Sequence, residues 1–248
     1  MYLQVQTGKL LFSLVIFLLF ACGFSTNGKV RDLDDHWFRT ARLKMVEQQL
    51  RQRGIQDKRV LEAMATIPRH LFVPPELRLH AYDDNPLPIG EGQTVSQPYI
   101  VAFMSESLLL TGTETVLEIG TGSGYQAAVL SHLAKQVYSI EILPALAATA
   151  RSRLGALGYD NVTVIVGDGN QGWAPESPYE AIMVTAAAPQ IPPALLAQLA
   201  DGGRLVLPVE RGRKQHLLRL RKNGGTVTQE DLGPVRFVPL IGGDSEKL

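Results

Sequence analysis

The chain has 248 residues, of which 45% are hydrophobic, and Lys plus Arg and Asp plus Glu each number 24, so the formal net charge is zero. This length and composition are enough for one sizeable core and exclude a disordered or fibrous protein. Zero net charge argues against a protein that coats nucleic acid or adheres to anionic lipid. The single cysteine, Cys22, excludes an intramolecular disulfide, and the histidines show no metal-ligand spacing, so we expect no metal.

Residues 1–28 are set apart from the rest of the chain by an apolar run at residues 10–24. The run has the length of a signal sequence and is shorter than the roughly 20 residues that a helix needs to cross a bilayer. Because basic residues are more frequent after the run than before it, we expect membrane association through residues 10–24 with the remaining chain on the cytoplasmic side. Export, lipid anchoring at Cys22 and a translation start at Met45 remain open alternatives.

Residues 29–112 are predicted to form a helical, substrate-side segment with one irregular stretch. An acidic break at residues 32–35 precedes the first apolar residues at helical spacing, and Asp57 is a suitable cap for a second helix. The prolines between residues 68 and 92 favour a fixed, irregular path. Helices are predicted at Arg39–Arg53, Asp57–Ala65 and Pro98–Leu110.

From residue 113 to residue 248, short apolar runs alternate with helical patterns, which predicts βαβ units. The fold class is therefore α/β: a Rossmann-like, doubly wound, mostly parallel sheet with helices on both faces. Strands are predicted at Thr115–Ile119, Gln136–Glu141, Val162–Val166, Ala181–Thr185 and Arg204–Val209, and helices at Tyr125–Ala134, Pro144–Leu157 and Pro192–Leu199. A closing antiparallel pair of strands is predicted at His216–Arg221 and Val235–Leu240, with Gly224 and Gly225 between them.

The first strand of this core runs into a glycine-rich turn, Glu118 to Gly124, which leads into a helix. Glycine lets the backbone turn sharply and lets a ligand approach the helix N-terminus. The order is G-x-G-x-G, and Tyr125 stands where the dinucleotide-binding fingerprint has its third glycine. Taken alone, the turn is equally compatible with a structural role.

Acidic residues at the next two strand ends favour a ligand site over a structural turn. Glu141 ends the second strand, where a carboxylate can accept hydrogen bonds from the two hydroxyls of a ribose, and Asp168 follows the third. The carboxyl ends of parallel strands meet at one edge of a sheet, so these groups and the glycine turn predict a single nucleoside pocket. The chain has no G-x-x-x-x-G-K-[ST] phosphate-binding motif.

Together these three features resemble the class I S-adenosylmethionine-dependent methyltransferases. Further motifs narrow the resemblance to the protein-L-isoaspartate O-methyltransferase family over about residues 40–243. They are residues 86–90, 93–98, 116–125, 184–189 and 235–240. The resemblance implies S-adenosylmethionine as the methyl donor, no metal, and one catalytic domain over about residues 37–243.

The resemblance also implies protein repair, in which a methyl group is transferred to the α-carboxyl of L-isoaspartyl residues in damaged proteins. Donor binding is expected at Glu118, Gly120, Thr121, Gly122, Ser123, Gly124, Glu141, Asp168 and Gly169. The family's active-site serine falls on Ser96, which would orient the substrate carboxylate, and Thr94 and Thr185 are expected on the substrate side. A carboxylate is already ionised at neutral pH, so no general base is required. From its position alone, Ser96 is also a candidate cap for the helix at Pro98.

The expected partners are isoaspartyl peptides and proteins, with no nucleic acid, and the chain is expected to act as a monomer in the cytoplasm, where the methyl donor is available. Two rival functions are a methyltransferase acting on nucleic acid or a small molecule, and a catalytically silent S-adenosylmethionine-binding module. The first lacks support because Thr185 to Pro189 does not match the D-P-P-Y type of sequence of adenine-amino methyltransferases. Binding without turnover would indicate the second.

Overall fold

The computed structural model describes residues 26–242, so the apolar run at residues 10–24 lies outside the described residues. The chain divides into two compact units, one up to Phe38 and the other from Arg39. Among residues 26–242 no helix has both the length and the hydropathy needed to cross a membrane.

Helix α1, Thr26–Met45, continues into a π-helical turn at Val46–Leu50 and a 3-10 turn at Arg51–Arg53. Gly54, with a φ of 97°, then ends the helical path. The predicted break at residues 32–35 is wrong, since the helix runs through it. No glycine or proline lies between residues 29 and 53 to interrupt the helix.

Helices α2, Lys58–Thr66, and α3, Pro98–Ser107, lie close to their predicted positions. Asp57 caps α2 by accepting a hydrogen bond from the backbone N–H of Arg59 at 2.8 Å. Between these helices lie 3-10 turns at Arg69–Phe72 and Pro75–His80 and an antiparallel hairpin of strands β1, Leu87–Gly90, and β2, Gln93–Val95. The prediction of a wholly irregular path is therefore wrong for this hairpin, whose turn at Glu91 and Gly92 has positive φ.

A seven-stranded sheet confirms the predicted α/β class, with strand order β5-β4-β3-β6-β7-β8-β9. Its parallel strands are β3 Thr115–Ile119, β4 Gln136–Glu141, β5 Val162–Val166, β6 Tyr179–Val184 and β7 Leu199–Arg211. The intervening helices are α4 Tyr125–Ser131, α5 Pro144–Ala156 and α6 Pro193–Gln198. The predicted bounds of β3, β4 and β5 agree with the structure to the residue.

The strand order reverses between β3 and β6. The chain moves outward from β3 through β4 to β5 and then returns to the other side of β3 as β6. At such a switch point the loops leaving neighbouring strands separate and open a crevice beyond their carboxyl ends. Gly120 follows β3 and Thr185 follows β6, so these two residues border the crevice.

The sheet closes with two antiparallel strands, β8 Lys214–Asn223 and β9 Thr226–Val235, joined at Gly224 and Gly225. A closing antiparallel pair with its turn at Gly224 and Gly225 is confirmed. The prediction that its second strand is Val235–Leu240 is wrong. Residues 236–240 leave the sheet instead, and the N–H of Leu240 donates to the carbonyl of Ala187 at 2.7 Å. Strand β9 is an exposed edge, so it lacks the apolar alternation that would identify it in the sequence.

Candidate active site

Three cavities meet at the crevice between β3 and β6. The wide cleft has a volume of about 850 Å³ and is lined by residues that include Arg53, Thr94, Ser96, Tyr99, Thr185 and 234–239. The strand-end pocket is lined by residues that include Thr94, Gly120, Gly122, Glu141, Gly169 and Thr185, and the loop pocket by residues that include Thr94, Ser96, Thr121, Ser123 and Thr185. Thr94 and Thr185 therefore border all three cavities.

The glycine turn after β3 is held from both sides by neighbouring strands. The N–H of Gly120 donates to the carbonyl of Ile140 at 2.8 Å, and the hydroxyl of Thr185 donates to the carbonyl of Gly120 at 2.7 Å. Gly120 has a φ of 97°, and a Cβ at this position would lie closer than 3.0 Å to Thr185 Oγ1. The residue at position 120 must therefore be glycine for two separate reasons.

Glu141, at the end of β4, lines the strand-end pocket, and each oxygen of its carboxylate accepts one backbone hydrogen bond. One oxygen accepts from the N–H of Gly122 at 2.7 Å and the other from the N–H of Leu143 at 3.1 Å. A carboxylate has about four lone-pair sites, so each oxygen retains acceptor capacity toward the pocket. This arrangement fits a ribose with two vicinal hydroxyls, as the sequence predicts for Glu141.

Asp168 and Gly169 follow β5 but take different positions. Gly169 lines the strand-end pocket, and a Cβ there would lie closer than 3.0 Å to Ile119 Cγ2. The Asp168 carboxylate instead caps the short turn after it, accepting from the N–H and the side-chain amide of Asn170, each at 2.9 Å. The structure therefore places Gly169 in the pocket wall and Asp168 behind that wall.

The strand-end pocket is narrow, with a volume of about 60 Å³. Its outer wall is formed by Val238, Pro239 and Ile241, which belong to the segment that leaves the sheet after β9. The hydrogen-bonding groups of the strand-end pocket thus fit a nucleoside.

Glu118 lies beneath the glycine turn and is fully buried. The hydroxyl of Ser139 donates to its Oε2 atom, and the hydroxyls of Ser139 and Thr121 are 2.6 Å apart. Its Oε1 atom is buried with no hydrogen-bond partner among the described residues. Burial raises the pKa of Glu118 to about 8, the bond from Ser139 opposes this rise, and the charge of Glu141 adds to it.

Ser96 lies where β2 leads into α3 and borders both the wide cleft and the loop pocket. The residue that caps α3 is Gln97, with no side-chain cap, so the structure does not use the Ser96 hydroxyl as a helix cap. The backbone carbonyl of Ser96 accepts from Arg69 Nη2 at 2.8 Å. This contact fixes the position of the Ser96 backbone at the border of the two cavities.

The structure brings most of the predicted site residues together, although not all. Those that line the cavities are Thr94, Ser96, Gly120, Thr121, Gly122, Ser123, Glu141, Gly169 and Thr185. Glu118, Gly124 and Asp168 lie outside these three walls. Gly124 instead begins helix α4 with a φ of 86°, where a Cβ would lie 3.2 Å from Leu154 Cδ1.

Sequence reasoning missed Arg53 and Tyr99, which form one side of the wide cleft. The guanidinium of Arg53 lies 3.8 Å from the centroid of the Tyr99 ring and binds both carboxylate oxygens of Asp84, at 2.9 and 3.1 Å. No local motif marks these residues, since Asp84 is 31 positions from Arg53 in the chain.

Arg69, another residue that sequence reasoning missed, is fully buried next to the site. Besides Ser96, its guanidinium donates to the carbonyl of Ala81 at 2.7 Å and lies 4.8 Å from the Tyr125 ring centroid. Burial lowers the pKa of Arg69. Arg69 thus connects the proline-rich stretch to the loop that carries Ser96.

Replacing Glu141 with glutamine is expected to weaken S-adenosylmethionine binding about tenfold, because the amide accepts fewer hydrogen bonds and carries no charge. Titration calorimetry with S-adenosylmethionine measures the effect. The matched control is Glu210→Gln, on an exposed stretch of β7 outside the cavities. Equal affinities for the two variants would remove Glu141 from the binding site.

No cluster of three or more His, Cys, Asp or Glu side chains within residues 26–242 is arranged to hold a metal ion. The polar groups that line the strand-end and loop pockets are backbone amides, side-chain amides, hydroxyls and the carboxylate of Glu141. Such groups suit an uncharged nucleoside with ribose hydroxyls.

The strand order, the glycine turn and the carboxylate at the end of β4 define a Rossmann-like methyltransferase fold of class I. A sequence profile of the family Protein-L-isoaspartate(D-aspartate) O-methyltransferase matches residues 41–245. The chain belongs to this family.

Relatives of the chain carry the same name. A Protein-L-isoaspartate O-methyltransferase of Methanoculleus marisnigri is 58% identical over 204 residues, which cover 82% of this chain and 93% of that protein. Protein-L-isoaspartate O-methyltransferase 2 of Shewanella sediminis is 52% identical over 236 residues, which cover 95% of this chain and 96% of that protein. The second match thus reaches beyond the span of the family profile.

Solved structures agree with these sequence matches. A protein-L-isoaspartate O-methyltransferase superposes with a TM-score of 0.74 at 30% identity, over 82% of this chain and 66% of that longer chain. A beta-aspartate methyltransferase from Plasmodium falciparum, solved in complex with S-adenosyl-L-homocysteine, superposes with a TM-score of 0.71 at 25% identity. That match covers 81% of this chain and 98% of the Plasmodium chain.

Proposed function

We propose that this protein repairs damaged proteins by transferring a methyl group from S-adenosylmethionine to the α-carboxyl of L-isoaspartyl residues. The observation that carries the proposal is the junction of the three cavities at Thr94 and Thr185. The strand-end and loop pockets together suit the two ends of the donor, and the wide cleft suits a peptide. A donor and a peptide bound in this way would meet at the junction.

Each donor subsite is supported by a separate set of residues. Glu141, Gly122 and Gly169 suit the nucleoside in the strand-end pocket. Thr121 and Ser123, at the N-terminus of helix α4, suit the amino-acid end in the loop pocket. When bound, S-adenosylmethionine supplies an electrophilic methyl group on a positively charged sulfur.

The chain's own contribution to the reaction is positioning. The substrate carboxylate is ionised at neutral pH and needs no general base. Positioning of reacting groups is worth about 7 to 11 kcal/mol in favourable cases. The Ser96 hydroxyl donates a hydrogen bond that orients the carboxylate, and Thr185 holds the glycine turn that borders the donor.

The proposed function is tested with two peptides of the same sequence, one with L-isoaspartate and one with aspartate at a single position. Residues 30–248 are mixed with methyl-labelled S-adenosylmethionine and either peptide. Base-labile label on the isoaspartyl peptide alone is expected. Label on neither peptide, with the donor bound, would instead indicate the catalytically silent module.

Replacing Ser96 with alanine is expected to lower kcat for the isoaspartyl peptide about tenfold, because one hydrogen bond to a charged group is lost. Because Ser96 borders the wide cleft and also the loop pocket assigned to the donor, donor affinity is measured separately. Steady-state kinetics and calorimetry separate the two effects. Ser152→Ala, on an exposed position of α5, is the control. A kcat equal to that of the control would contradict the proposed role.

We further propose one catalytic domain over about residues 37–243, with residues 29–112 on the substrate side and 113–248 as the donor-binding core. We also propose that the chain acts as a monomer, which size-exclusion chromatography with light scattering tests. Dependence on S-adenosylmethionine supports a catalytic domain that faces the cytoplasm. Mass spectrometry of the mature N-terminus tests this location, and a lipidated Cys22 would contradict it.

A further inference from the structure

The charged side chains that line the wide cleft are all basic. Among the lining residues of the described chain, only Arg53 and Arg236 carry a charge, and the rest are polar or apolar. The cleft is thus electrostatically unlike the whole chain, whose formal net charge is zero. A cleft lined by one sign of charge favours ligands of the opposite sign.

The two arginines differ in how their charge is compensated. Arg53 is paired with both carboxylate oxygens of Asp84. Arg236 is exposed in the segment that follows β9, and within residues 26–242 it makes no ion pair and no side-chain hydrogen bond. The charge that remains available to a bound peptide is therefore that of Arg236.

Three other basic residues, on strands β7 and β8, have partners of their own. Arg211 pairs with Asp231 at 2.8 Å and Arg219 with Glu230 at 2.5 Å. The ammonium group of Lys222 donates to the carbonyls of Leu196 and Leu199. Within residues 26–242, Arg236 is thus the cation in the lining of the wide cleft that has no ion pair.

We propose that Arg236 makes this enzyme prefer isoaspartyl sites whose neighbouring residues in the substrate are acidic. The proposal rests on the methyl transfer proposed above and adds to it a preference for substrate sequence. Arg236 acts on peptide binding and not on the transfer itself, because it lines the wide cleft and neither of the two pockets assigned to the donor. The preference for acidic neighbours is therefore expected to appear as a difference in KM for the peptide.

The test uses three isoaspartyl peptides of equal length in which the residues flanking the isoaspartate are Glu, Gln or Lys. For the unmodified protein at low ionic strength, KM is expected to rise in the order Glu, Gln, Lys, with about a fivefold difference between Glu and Gln. In Arg236→Gln this difference in KM disappears. Arg213→Gln, on the exposed turn between β7 and β8, keeps the difference.

The outcomes separate this inference from the proposed function. If the unmodified protein methylates none of the three peptides, the proposed function fails. If it methylates the Gln peptide but shows equal KM values for Glu and Gln, or if Arg236→Gln keeps the preference, the role of Arg236 is overturned. Loss of the preference at high salt in the unmodified protein would support an electrostatic origin.

Discussion

Replacing Gly120 with alanine is expected to lower kcat/KM for the isoaspartyl peptide at least about 100-fold, because a small displacement at a reacting centre is enough for a loss of this size. The φ of 97° at this position is strained for any residue with a side chain. The new Cβ would also lie closer than 3.0 Å to Thr185 Oγ1. Relief of this contact moves either the glycine turn, which lines the strand-end and loop pockets, or Thr185, which borders all three cavities.

Gly158→Ala is the control that separates backbone strain from the contact with Thr185 as causes of the expected loss of kcat/KM. Gly158 also has a positive φ, of 77°, but no atom lies within 4 Å of the position its Cβ would take. Gly158→Ala should therefore carry the backbone strain alone and keep its activity. Steady-state kinetics and thermal unfolding of both variants make the comparison. If Gly120→Ala is folded and its kcat/KM is within threefold of Gly158→Ala, the Thr185 contact does not matter for activity.

The sequence predicts the parallel half of the fold well because apolar residues are concentrated in its strands. Strands β3, β4 and β5 are short apolar runs bounded by glycine or polar turns, and their bounds agree with the structure. The apolar pattern does not predict the closing strands correctly. The apolar stretch at residues 236–240 has the pattern of a strand but packs beside Ala187, whereas the exposed strand β9 has a polar sequence.

The site residues likewise divide into those that the sequence predicts and those that it does not. The glycine turn, Glu141 and Gly169 follow strand ends directly, so their meeting follows from the parallel topology alone. Arg53, Arg69 and Tyr99 reach the site through helices and 3-10 turns whose packing no local pattern specifies. Asp168 shows a further limit, because a carboxylate at a strand end can either face the ligand or cap its own turn, as it does here.

The pH dependence of stability is expected to report on Glu118. Its pKa is raised by burial to about 8 in the folded protein, whereas an unfolded chain gives the ordinary value near 4.5. Between these values the folded protein keeps a proton that the unfolded chain releases, so the free energy of unfolding falls as pH rises. From pH 6 to pH 8 the expected fall is about 2 kcal/mol, or roughly 4 to 8 °C in Tm for a chain of this size.

Glu118→Gln should remove this part of the pH dependence, because glutamine has the shape of the protonated side chain and does not titrate. Relative to the unmodified protein, the variant is therefore expected to gain stability above pH 8 and to differ little near pH 5. Thermal unfolding across this range measures both curves, with Glu210→Gln, on an exposed part of β7, as the control. Histidines that titrate in this window are common to all three proteins and cancel in the comparison. Parallel curves for Glu118→Gln and the unmodified protein would show that Glu118 is ionised in the folded protein at pH 6.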